Sequence, residues 1–442
     1  MPSILFITRG CAKNEVDTDR MRALLLGSGY DETDDPDKAD LALINTCSFL
    51  VSATQESLDT TLELAQQGEG CALPIVMCGC VPSRYGASLA EELPEVSAFV
   101  DADDEDGIVG VVDGVLGLER DVTRGVPQGV LRTVDGASAY VKISEGCDRF
   151  CAFCAIPYIR GRYHSRDAAE ICDEVRSLME GGVREVVLIG QDTGIWGSDF
   201  EEPRTLASLL RQVAEVVRPF GGWVRVLYLQ PEGMTEELVS TIRDVDEVLP
   251  YIDIPIQHCS APVLKRMGRT GSAEEFSRLF AHLRQEIPGM VLRTTAMAGF
   301  PGETDEEAQE LLDFLQGEEF DYCSVFTYSP EDGTHAAAMP DQVPEEAKLE
   351  RTQQLIDLTE QLGFAAAERH VGERVRVIID GVEEGGDGPE LVGHAWFQAP
   401  DSDGVVHIES GGHAVGDVVT CDLVDSFTYD LVGEVVGDGE GA

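Results

Sequence analysis

Near the start of the chain, an apolar strand-like run is followed by a helix-like segment, and this pattern recurs. The three apolar runs are SILFITRGC, ADLALINTC and LPIVMCGC, and they end at Cys11, Cys47 and Cys80. The segments that begin at Asn14 and Ser48 carry apolar residues at helical spacing. Alternating strands and helices predict a doubly wound parallel sheet with sites at the carboxyl ends of its strands. The three cysteines can therefore converge on one point.

A second series of strand and helix periods runs from Tyr140 to about Pro340. Six runs have the pattern of strands: AYVKIS, REVVLIGQD, WVRVLYLQP, YIDIPIQH, VLRTTAMAGF and DYCSVFTYSP. Helical segments such as AAEICDEVRSLMEGG separate them, which predicts a partial TIM-like (β/α)6 barrel with chemistry at the carboxyl ends of the strands. The acidic stretch 101–107 and the Gly/Pro-bearing segment around Pro127 have the composition of a linker.

A long helical segment, PEEAKLERTQQLIDLTEQLGFAAAERHVG, precedes the last part of the chain, where the hydrophobic pattern changes from helical spacing to alternation. Short alternating runs broken by Gly, Asp and Pro follow, which is typical of a small antiparallel β-barrel. The predicted class is therefore α/β, with a sheet domain at 1–120, a barrel domain at 133–370 and a small β-barrel at 371–442. From residue 371 onward, sixteen Asp and Glu residues accompany only Arg374 and Arg376.

The overall composition narrows the class of protein. The chain has 442 residues, 43% of them hydrophobic, which suffices for more than one core. It has no apolar run of about 18 residues and no signal-peptide pattern at its start, so we expect a soluble, cytoplasmic protein without a membrane partner. The 32 Lys and Arg against 82 Asp and Glu give a net charge of -50, which disfavours nucleic acid and suits a basic protein partner. Solubility alone is the other explanation for this charge.

Twelve cysteines in a chain without a secretion signal favour cluster ligation or catalysis over disulfides. Cys147, Cys151 and Cys154 follow the first predicted barrel strand in the run GCDRFCAFC, and Gly146 lets the backbone turn closely around a bulky cofactor. Zinc is the competing metal. It usually takes four protein ligands arranged as paired CxxC motifs, and no second pair of cysteines has the usual spacing. Three thiolates on a four-iron cluster leave one iron open, as catalysis requires.

This run, with Phe153 before its third cysteine, resembles the radical S-adenosylmethionine superfamily. The resemblance implies a four-iron four-sulfur cluster whose open iron binds S-adenosylmethionine, which one electron cleaves to a 5′-deoxyadenosyl radical. GCAKNEVDTDRM, INTCSF and MCGC resemble the amino-terminal domain of the methylthiotransferases. That resemblance implies a second four-iron cluster on Cys11, Cys47 and Cys80, although each cysteine alone could be a small buried apolar residue.

The resemblance covers essentially the whole chain, because the family ends in a small barrel called the TRAM module. It implies that strand-end residues receive S-adenosylmethionine, while a helix cap or turn is the alternative role for each of them. These residues are Gly190, Gln191, Asp192, Gly299 and Arg166. The catalytic residues that grip the substrate are not identified. Basic residues near strand ends are candidates, with solvated surface as the alternative: Arg149, Arg160, Lys265 and Arg266.

Three phrases resemble the RimO branch, which modifies an aspartate of small-ribosomal-subunit protein twelve, more than the branch that modifies isopentenyl-adenosine in transfer RNA. They are PIQHCSAPVLKRMGR, which contains His258, YSPEDGTHAAAM and FQAPDSDGVVHI. The final barrel is acidic and is therefore an unfavourable surface for binding RNA, so we expect little direct nucleic-acid binding.

The resemblance implies that the radical takes hydrogen from the β-carbon of the aspartate, which then receives a methylthio group from the second cluster. A flavodoxin-like or ferredoxin-like electron donor is required. Two alternatives remain open at this point. One is the transfer RNA methylthiotransferase, and the other is a non-catalytic iron–sulfur or zinc protein that senses redox state or docks on the ribosome.

Overall fold

The structure, a computed structural model, describes residues 1–66, 73–118, 132, 134, 136–385, 388–409 and 412–436. The strands are β1 Ser3–Thr8, β2 Asp31–Glu32, β3 Leu41–Thr46, β4 Ile75–Gly79, β5 Ala98–Asp101, β6 Ser138–Lys142, β7 Ser144–Glu145, β8 His164–Ser165, β9 Glu185–Ile189, β10 Trp223–Val226, β11 Tyr251–Asp253, β12 Val291–Ala298, β13 Tyr322–Thr327, β14 Arg374–Gly385, β15 Gly388–Ala395, β16 Val406–Ile408, β17 Val418–Phe427 and β18 Asp430–Val435. The helices are α1 Ala12–Gly27, α2 Val51–Gln66, α3 Cys80–Tyr85, α4 Leu89–Glu92, α5 Ile108–Val115, α6 Ile156–Ile159, α7 Ala168–Glu180, α8 Leu206–Val217, α9 Glu236–Asp244, α10 Ala261–Arg266, α11 Ala273–Glu286, α12 Asp305–Glu318 and α13 Glu345–Arg369.

The N-terminal domain contains a parallel sheet of five strands in the order β2-β1-β3-β4-β5. This order confirms the predicted doubly wound sheet. The direction of winding reverses between β1 and β3, and the carboxyl ends of strands at such a point form a binding crevice. Cys11 follows β1 and Cys47 follows β3, so both cysteines lie at the reversal.

The acidic stretch 101–107 belongs to the N-terminal domain, so its interpretation as linker is wrong. It begins at the last residue of β5 and ends in a 3-10 helix that leads into α5. Ile108 and Val112 of α5 pack into the same apolar core as β1, β3 and β4, and this burial holds the acidic turn against the sheet. The segment predicted as linker around Pro127 lies outside the described residues.

All six predicted central strands are present, and they confirm the partial (β/α)6 barrel. β6, β9 and β10 form one parallel set, and β11, β12 and β13 form another. The two sets meet where the backbone N–H of Leu229 donates to the carbonyl oxygen of Asp253 at 3.0 Å. The strands thus lie side by side in chain order, and their carboxyl ends open toward one side.

The helices around the central strands begin at residues suited to helix N-termini. At the start of five helices, a Ser, Thr or Asp side chain accepts a hydrogen bond from a backbone N–H that the first turn leaves unpaired. These residues are Asp167 before α7, Thr205 before α8, Thr235 before α9, Ser272 before α11 and Thr304 before α12. Local sequence therefore fixes where these helices begin.

Alternate residues of the central strands enter two different apolar cores. Val186 and Leu188 pack with the surrounding helices, whereas Val187 and Ile189 pack with residues of the C-terminal barrel. This division follows from the strand period of two, which sends successive side chains to opposite faces.

The C-terminal domain is a closed barrel of five strands in the order β14-β15-β16-β18-β17. Four of its five strand pairings are antiparallel, and β16 pairs with β18 in parallel, so the predicted small barrel is confirmed. The segment after β15 reaches the central barrel. There the hydroxyl of Tyr251 donates to Asp403 at 2.6 Å, and Arg293 forms an ion pair with the same carboxylate at 3.2 Å. The described helices include none that is both long and apolar enough to cross a bilayer.

Candidate functional site

The cysteines of the N-terminal domain stand at three neighbouring strand ends. Cys11 precedes α1, Cys47 follows β3 and Cys80 is the first residue of α3. Gly10 has a φ of +119°, and a Cβ atom there would lie 2.8 Å from the Cβ of Cys47. Only glycine permits this approach of the first strand end to the second. We call these three cysteines the N-terminal triplet.

Asn14 connects the members of the N-terminal triplet. Its Oδ1 accepts from the Cys11 thiol at 3.5 Å, and its Nδ2 lies 4.0 Å from Sγ of Cys80. The same Nδ2 donates to the carbonyl oxygen of Thr46 and to Oδ1 of Asn45, both at 3.1 Å. One buried amide thus binds all three strand ends. Asn14 is not among the residues predicted from the sequence, although its place three residues after Cys11 in GCAKN is a usable signal.

Burial is the largest influence on the pKa values of the Cys47 and Cys80 thiols. Burial raises the pKa of Cys47 to about 11, and the thiols of Cys80 and Cys11 add to this effect. Burial also raises the pKa of Cys80, while the cation of Arg160 opposes it. Cys11 is exposed and the other two are buried, so the triplet opens toward solvent on one side.

Cys147, Cys151 and Cys154 lie in the loop between β7 and α6, and we call them the loop triplet. The backbone N–H of Cys154 donates to the carbonyl oxygen of Cys151 at 3.0 Å, and that of Ala152 donates to the carbonyl oxygen of Met267 at 2.8 Å. Main-chain hydrogen bonds therefore set the shape of this loop. Burial raises the pKa of Cys154 to about 12, with added effects from Cys151 and Cys147.

Gly146 serves this loop through a contact within the chain. Its φ is +70°, and a Cβ atom at this position would stand 2.2 Å from the carbonyl oxygen of Arg162. The glycine is therefore required by the return of the chain past its own backbone. Sequence analysis explains it by the approach of a cofactor instead.

Three thiols per triplet suit a four-iron cluster with one open iron better than a structural zinc ion, which takes four protein ligands. Among the described residues, no set of three or more His, Cys, Asp and Glu side chains is arranged to hold one metal ion. A tetrahedral zinc would bring its thiolates to within roughly 4 Å of each other. Each thiolate of a four-iron cluster binds a different iron, so these sulfurs stand further apart. Three thiols per site also leave one iron for another ligand.

Two predicted cofactor residues present unused acceptors beside the loop triplet. Oε1 of Gln191 and Oδ1 of Asp192 are buried, and neither has a hydrogen-bond partner within the described part of the chain. The other oxygen of Asp192 accepts from Nε of Arg149 at 2.5 Å, and Arg149 belongs to the cysteine loop. Burial raises the pKa of Asp192, and Arg149 opposes the rise. Because unpaired buried acceptors are costly, a ligand with amino and hydroxyl donors, such as S-adenosylmethionine, fits here.

The remaining predicted cofactor residues have contacts within the protein. A Cβ atom on Gly190 would lie 2.5 Å from Oγ of Ser144, and one on Gly299 would lie 2.4 Å from Cγ of Lys348. Arg166 donates to the carbonyl oxygen of Lys142 at 2.5 Å and pairs with Glu174 at 2.9 Å. Packing therefore explains the glycines at positions 190 and 299, and hydrogen bonding and ion pairing explain the arginine at position 166.

Arg269 is another residue near the loop triplet that sequence analysis missed. Its guanidinium donates to Oε1 of Gln230 at 2.6 Å and to the carbonyl oxygen of Pro255 at 2.8 Å. Its charge opposes the rise that burial causes in the pKa of Cys154. No local motif marks it, because only the fold brings its loop to the cysteines.

The two triplets adjoin across the interface between the N-terminal and central domains. Cys80 packs with Ala155 and Ile159, and Ala155 directly follows Cys154. Arg160, at the end of α6, places Nη2 3.7 Å from Sγ of Cys80. Its side chain is only 3% exposed, so the interpretation of Arg160 as solvated surface is wrong.

Charged groups hold the two domains together around this contact. Lys142 of the central domain forms ion pairs with Asp17 of the N-terminal domain and with Glu145, the latter at 2.9 Å. On the other side, Arg84 pairs with Glu331 at 3.2 Å, and both side chains are buried. Breaking a buried pair leaves an unpaired charge, so these contacts fix how the domains dock.

The three phrases that favour the ribosomal-protein branch lie in buried or interdomain positions. His258 is fully buried, and its Nδ1 accepts from the backbone N–H of Ser260 at 2.9 Å. Burial and the nearby Arg266 lower the pKa of His258 to about 3, so the ring is neutral. Glu331 belongs to the second phrase and Asp403 to the third, and both join domains. Two of the three segments therefore contribute contacts between domains, and the third contributes a buried ring within the central domain.

Comparison with known families divides the chain as the fold does. Residues 141–315 match the radical SAM superfamily, residues 371–436 match the TRAM domain, and residues 3–101 match the uncharacterized protein family UPF0004. The chain is 40% identical to ribosomal protein uS12 methylthiotransferase RimO of Geobacter sulfurreducens over 98% of each chain. It is 41% identical to the protein of the same name from Symbiobacterium thermophilum, over 97% of this chain and 90% of that one.

Solved structures share the fold at low sequence identity. The radical S-adenosylmethionine methyltransferase TsrM from Kitasatospora setae, solved with cobalamin and a [4Fe-4S] cluster, superposes with a TM-score of 0.54 at 16% identity, over 88% of this chain and 82% of that one. The cobalamin-dependent radical enzyme OxsB gives a TM-score of 0.51 at 13% identity, over 82% of this chain and 56% of that one. The fold of most of this chain therefore also occurs in proteins of low sequence identity.

Proposed function

The chain belongs to the RimO family of radical S-adenosylmethionine methylthiotransferases, and we propose on this premise that it adds a methylthio group to the β-carbon of an aspartate in ribosomal protein uS12. Its cofactors are two four-iron four-sulfur clusters and S-adenosylmethionine. The observation that carries the proposal is the contact of Cys80 with Ala155, which sets a sulfur-holding triplet beside a radical-forming one.

The cofactors, when bound, supply the radical that removes hydrogen from an unactivated carbon and the sulfur that replaces it. The residues of the protein hold the cofactors and position the substrate. Cys147, Cys151 and Cys154 are the ligands of the radical cluster, and the N-terminal triplet Cys11, Cys47 and Cys80 holds the second cluster. Because α3 and α6 pack together at Cys80 and Ala155, we expect one bound substrate side chain to reach both clusters.

Five residues are proposed to receive S-adenosylmethionine: Gly190, Gln191, Asp192, Gly299 and Arg166. The unpaired oxygens of Gln191 and Asp192 are the strongest support, because they are buried beside the loop triplet. Arg149 holds the second oxygen of Asp192, so the free oxygen keeps a fixed direction. For the other three residues the support is position: Gly190 and Gly299 directly follow β9 and β12, and Arg166 follows the cysteine loop.

The charge of the chain supports a basic protein as substrate. The net charge of -50 attracts a cationic partner over several ångströms of solvent, and the final barrel contributes sixteen of the acids. The same field repels the phosphates of transfer RNA. Little direct nucleic-acid binding is expected for this reason, and the transfer RNA reaction becomes an outcome of the test.

Further features follow from the same family assignment. We propose domain boundaries of 1–120, 133–370 and 371–442, a cytoplasmic location, and a flavodoxin-like or ferredoxin-like protein as electron donor. The partly exposed Cys151 and the exposed ring of Phe150 lie on the side of the loop triplet from which a donor can approach.

The test is mass spectrometry of uS12 purified from cells that lack this gene and from cells that carry it. We expect the gain of one methylthio group on one aspartate only where the gene is present. In parallel, the reduced protein is incubated with S-adenosylmethionine and either uS12 or transfer RNA. Transfer of methylthio to the RNA alone would overturn the substrate, and absence of 5′-deoxyadenosine from both reactions would favour a non-catalytic protein.

A further inference from the structure

Arg160 stands apart from the other arginines at the domain interface because its guanidinium contacts a cysteine of the other domain. It caps α6, the short helix that begins directly after the loop triplet, and Nη2 lies 3.7 Å from Sγ of Cys80. This distance is within the range of an N–H···S hydrogen bond. A residue of the central domain therefore completes the surroundings of the N-terminal triplet.

The rest of the guanidinium is held by carboxylates. Nη1 forms an ion pair with Oδ2 of Asp17 at 3.0 Å and with Oε1 of Glu145 at 3.4 Å. Lys142 binds the same two carboxylates, so Asp17 and Glu145 are themselves fixed in place. The two terminal nitrogens thus have separate partners, with carboxylates on one and the thiol on the other. Ion pairing explains the contacts of Arg160 with Asp17 and Glu145, but it does not explain the contact of Nη2 with Sγ of Cys80.

We propose that Arg160 is a positioning residue for the cluster held by Cys11, Cys47 and Cys80, to which it supplies a hydrogen bond and a positive charge through Sγ of Cys80. Hydrogen bonds to ligand sulfurs and nearby charge set the reduction potential of an iron–sulfur cluster. A cation at this distance stabilises the more negative, reduced form. This inference rests on the proposed function in so far as that function places a cluster on the N-terminal triplet.

The short connection between Cys154 and Arg160 gives the contact a further consequence. Only α6 separates the last ligand of one cluster from the cation that serves the other, and Ile159 of this helix packs on Cys80. The two sites are joined mechanically through one turn of helix.

The test isolates the N-terminal cluster in the full-length chain. Cys147, Cys151 and Cys154 are replaced together by alanine, and the protein is reconstituted with ferrous iron and sulfide without oxygen. Iron content is then measured by chemical analysis, and the midpoint potential is measured by electron paramagnetic resonance during a redox titration. We expect Arg160→Met to shift the potential to more negative values or to lose the iron, and Arg160→Lys, which keeps the charge, to recover the iron and most of the potential.

Arg84→Met is the matched control. Arg84 is also a buried arginine at this interface, and its contacts are with Ser48, Glu331 and Asp332. We expect its loss to leave the potential and the iron content unchanged. An equal change in Arg84→Met and Arg160→Met would overturn the proposal, because it would show that general loosening of the interface is responsible.

A compensated variant guards against misfolding. Arg160→Met combined with Glu145→Gln removes one charge of each sign, so the interface keeps its charge balance. Loss of the Glu145 carboxylate alone moves the potential to more positive values, so the proposal requires the double variant to lie at a more negative potential than Glu145→Gln alone, and equal potentials in these two variants would overturn it. The proposed function is judged separately: a parent protein with an arginine-dependent potential but no transfer of methylthio to uS12 would retain this inference and lose that function.

Discussion

The two cysteine triplets present the same three ligands in opposite ways. The loop triplet, Cys147, Cys151 and Cys154, lies in one loop and is shaped by main-chain hydrogen bonds within the loop and to Met267. The N-terminal triplet comes from three strand ends separated by long stretches of chain, and the Asn14 side chain connects them. The first arrangement tolerates the loss of a neighbouring side chain, whereas the second depends on the whole sheet. The difference separates a site encoded locally from one encoded by the fold.

The largest effect that tests this comparison is the loss of activity when either triplet is broken. Cys151→Ala should abolish formation of 5′-deoxyadenosine, because a radical cluster without one of its three ligands is not held. Cys47→Ala should keep this cleavage and abolish transfer of methylthio to uS12. The measurement is liquid chromatography with mass spectrometry of both products in the same reactions.

Iron content controls for general unfolding in these variants. Each single substitution should retain about half of the iron of the parent protein, as expected for one remaining cluster of two. If Cys47→Ala lost both products and all iron, the triplets would be interdependent and the division of labour would be wrong.

A smaller effect is expected from Asn14→Ala. The variant leaves buried partners without hydrogen bonds, which costs about 1–3 kcal/mol in the free energy of unfolding. The N-terminal triplet should lose iron while the loop triplet keeps it, and denaturant unfolding with iron analysis measures both changes. Gln55→Ala, an exposed position in the same domain, is the control. Equal iron loss from both triplets would show that Asn14 supports the domain in general.

The smallest effect on the triplets, none at all, is expected from a change at the interface with the C-terminal barrel, which contains neither of them. His394 lies between Glu185 at 2.5 Å and Asp380 at 2.6 Å. Burial opposes its protonation, but the two carboxylates prevail and raise the pKa of His394 to about 9. A raised folded pKa means that the stabilisation is complete below the unfolded value near 6.5 and is lost as the pH rises through about 9.

Denaturant unfolding between pH 6 and pH 10 measures this contribution. The free energy of unfolding should fall by at most about 1.4 kcal/mol per pH unit across the window, and His394→Ala should remove this slope. Iron in both triplets should be the same in the variant as in the parent. A slope that persists in His394→Ala would assign the pH dependence to other groups.

Particular segments show which parts of the fold can be predicted from the sequence. The six central strands, the five strands of the final barrel and three of the five strands of the N-terminal sheet follow from apolar runs bounded by turn residues or helical segments. The acidic stretch 101–107 shows the opposite case: its composition indicates a linker, but the burial of Ile108 and Val112 just beyond it ties it to the sheet. Composition describes solvent preference and does not reveal which neighbouring side chains hold a turn in place.

The sequence by itself determined the elements, the loop triplet and the family, because periodicity and a short spacing between ligands are properties of neighbours in the chain. Only the tertiary structure decided that Asn14 joins the three strand ends, that Cys80 packs against the helix after Cys154, and that Arg160 is buried with its guanidinium on a thiol. These facts depend on how domains dock. Docking is fixed by buried ion pairs between residues far apart in sequence, such as Arg84 and Glu331, which no local pattern reveals.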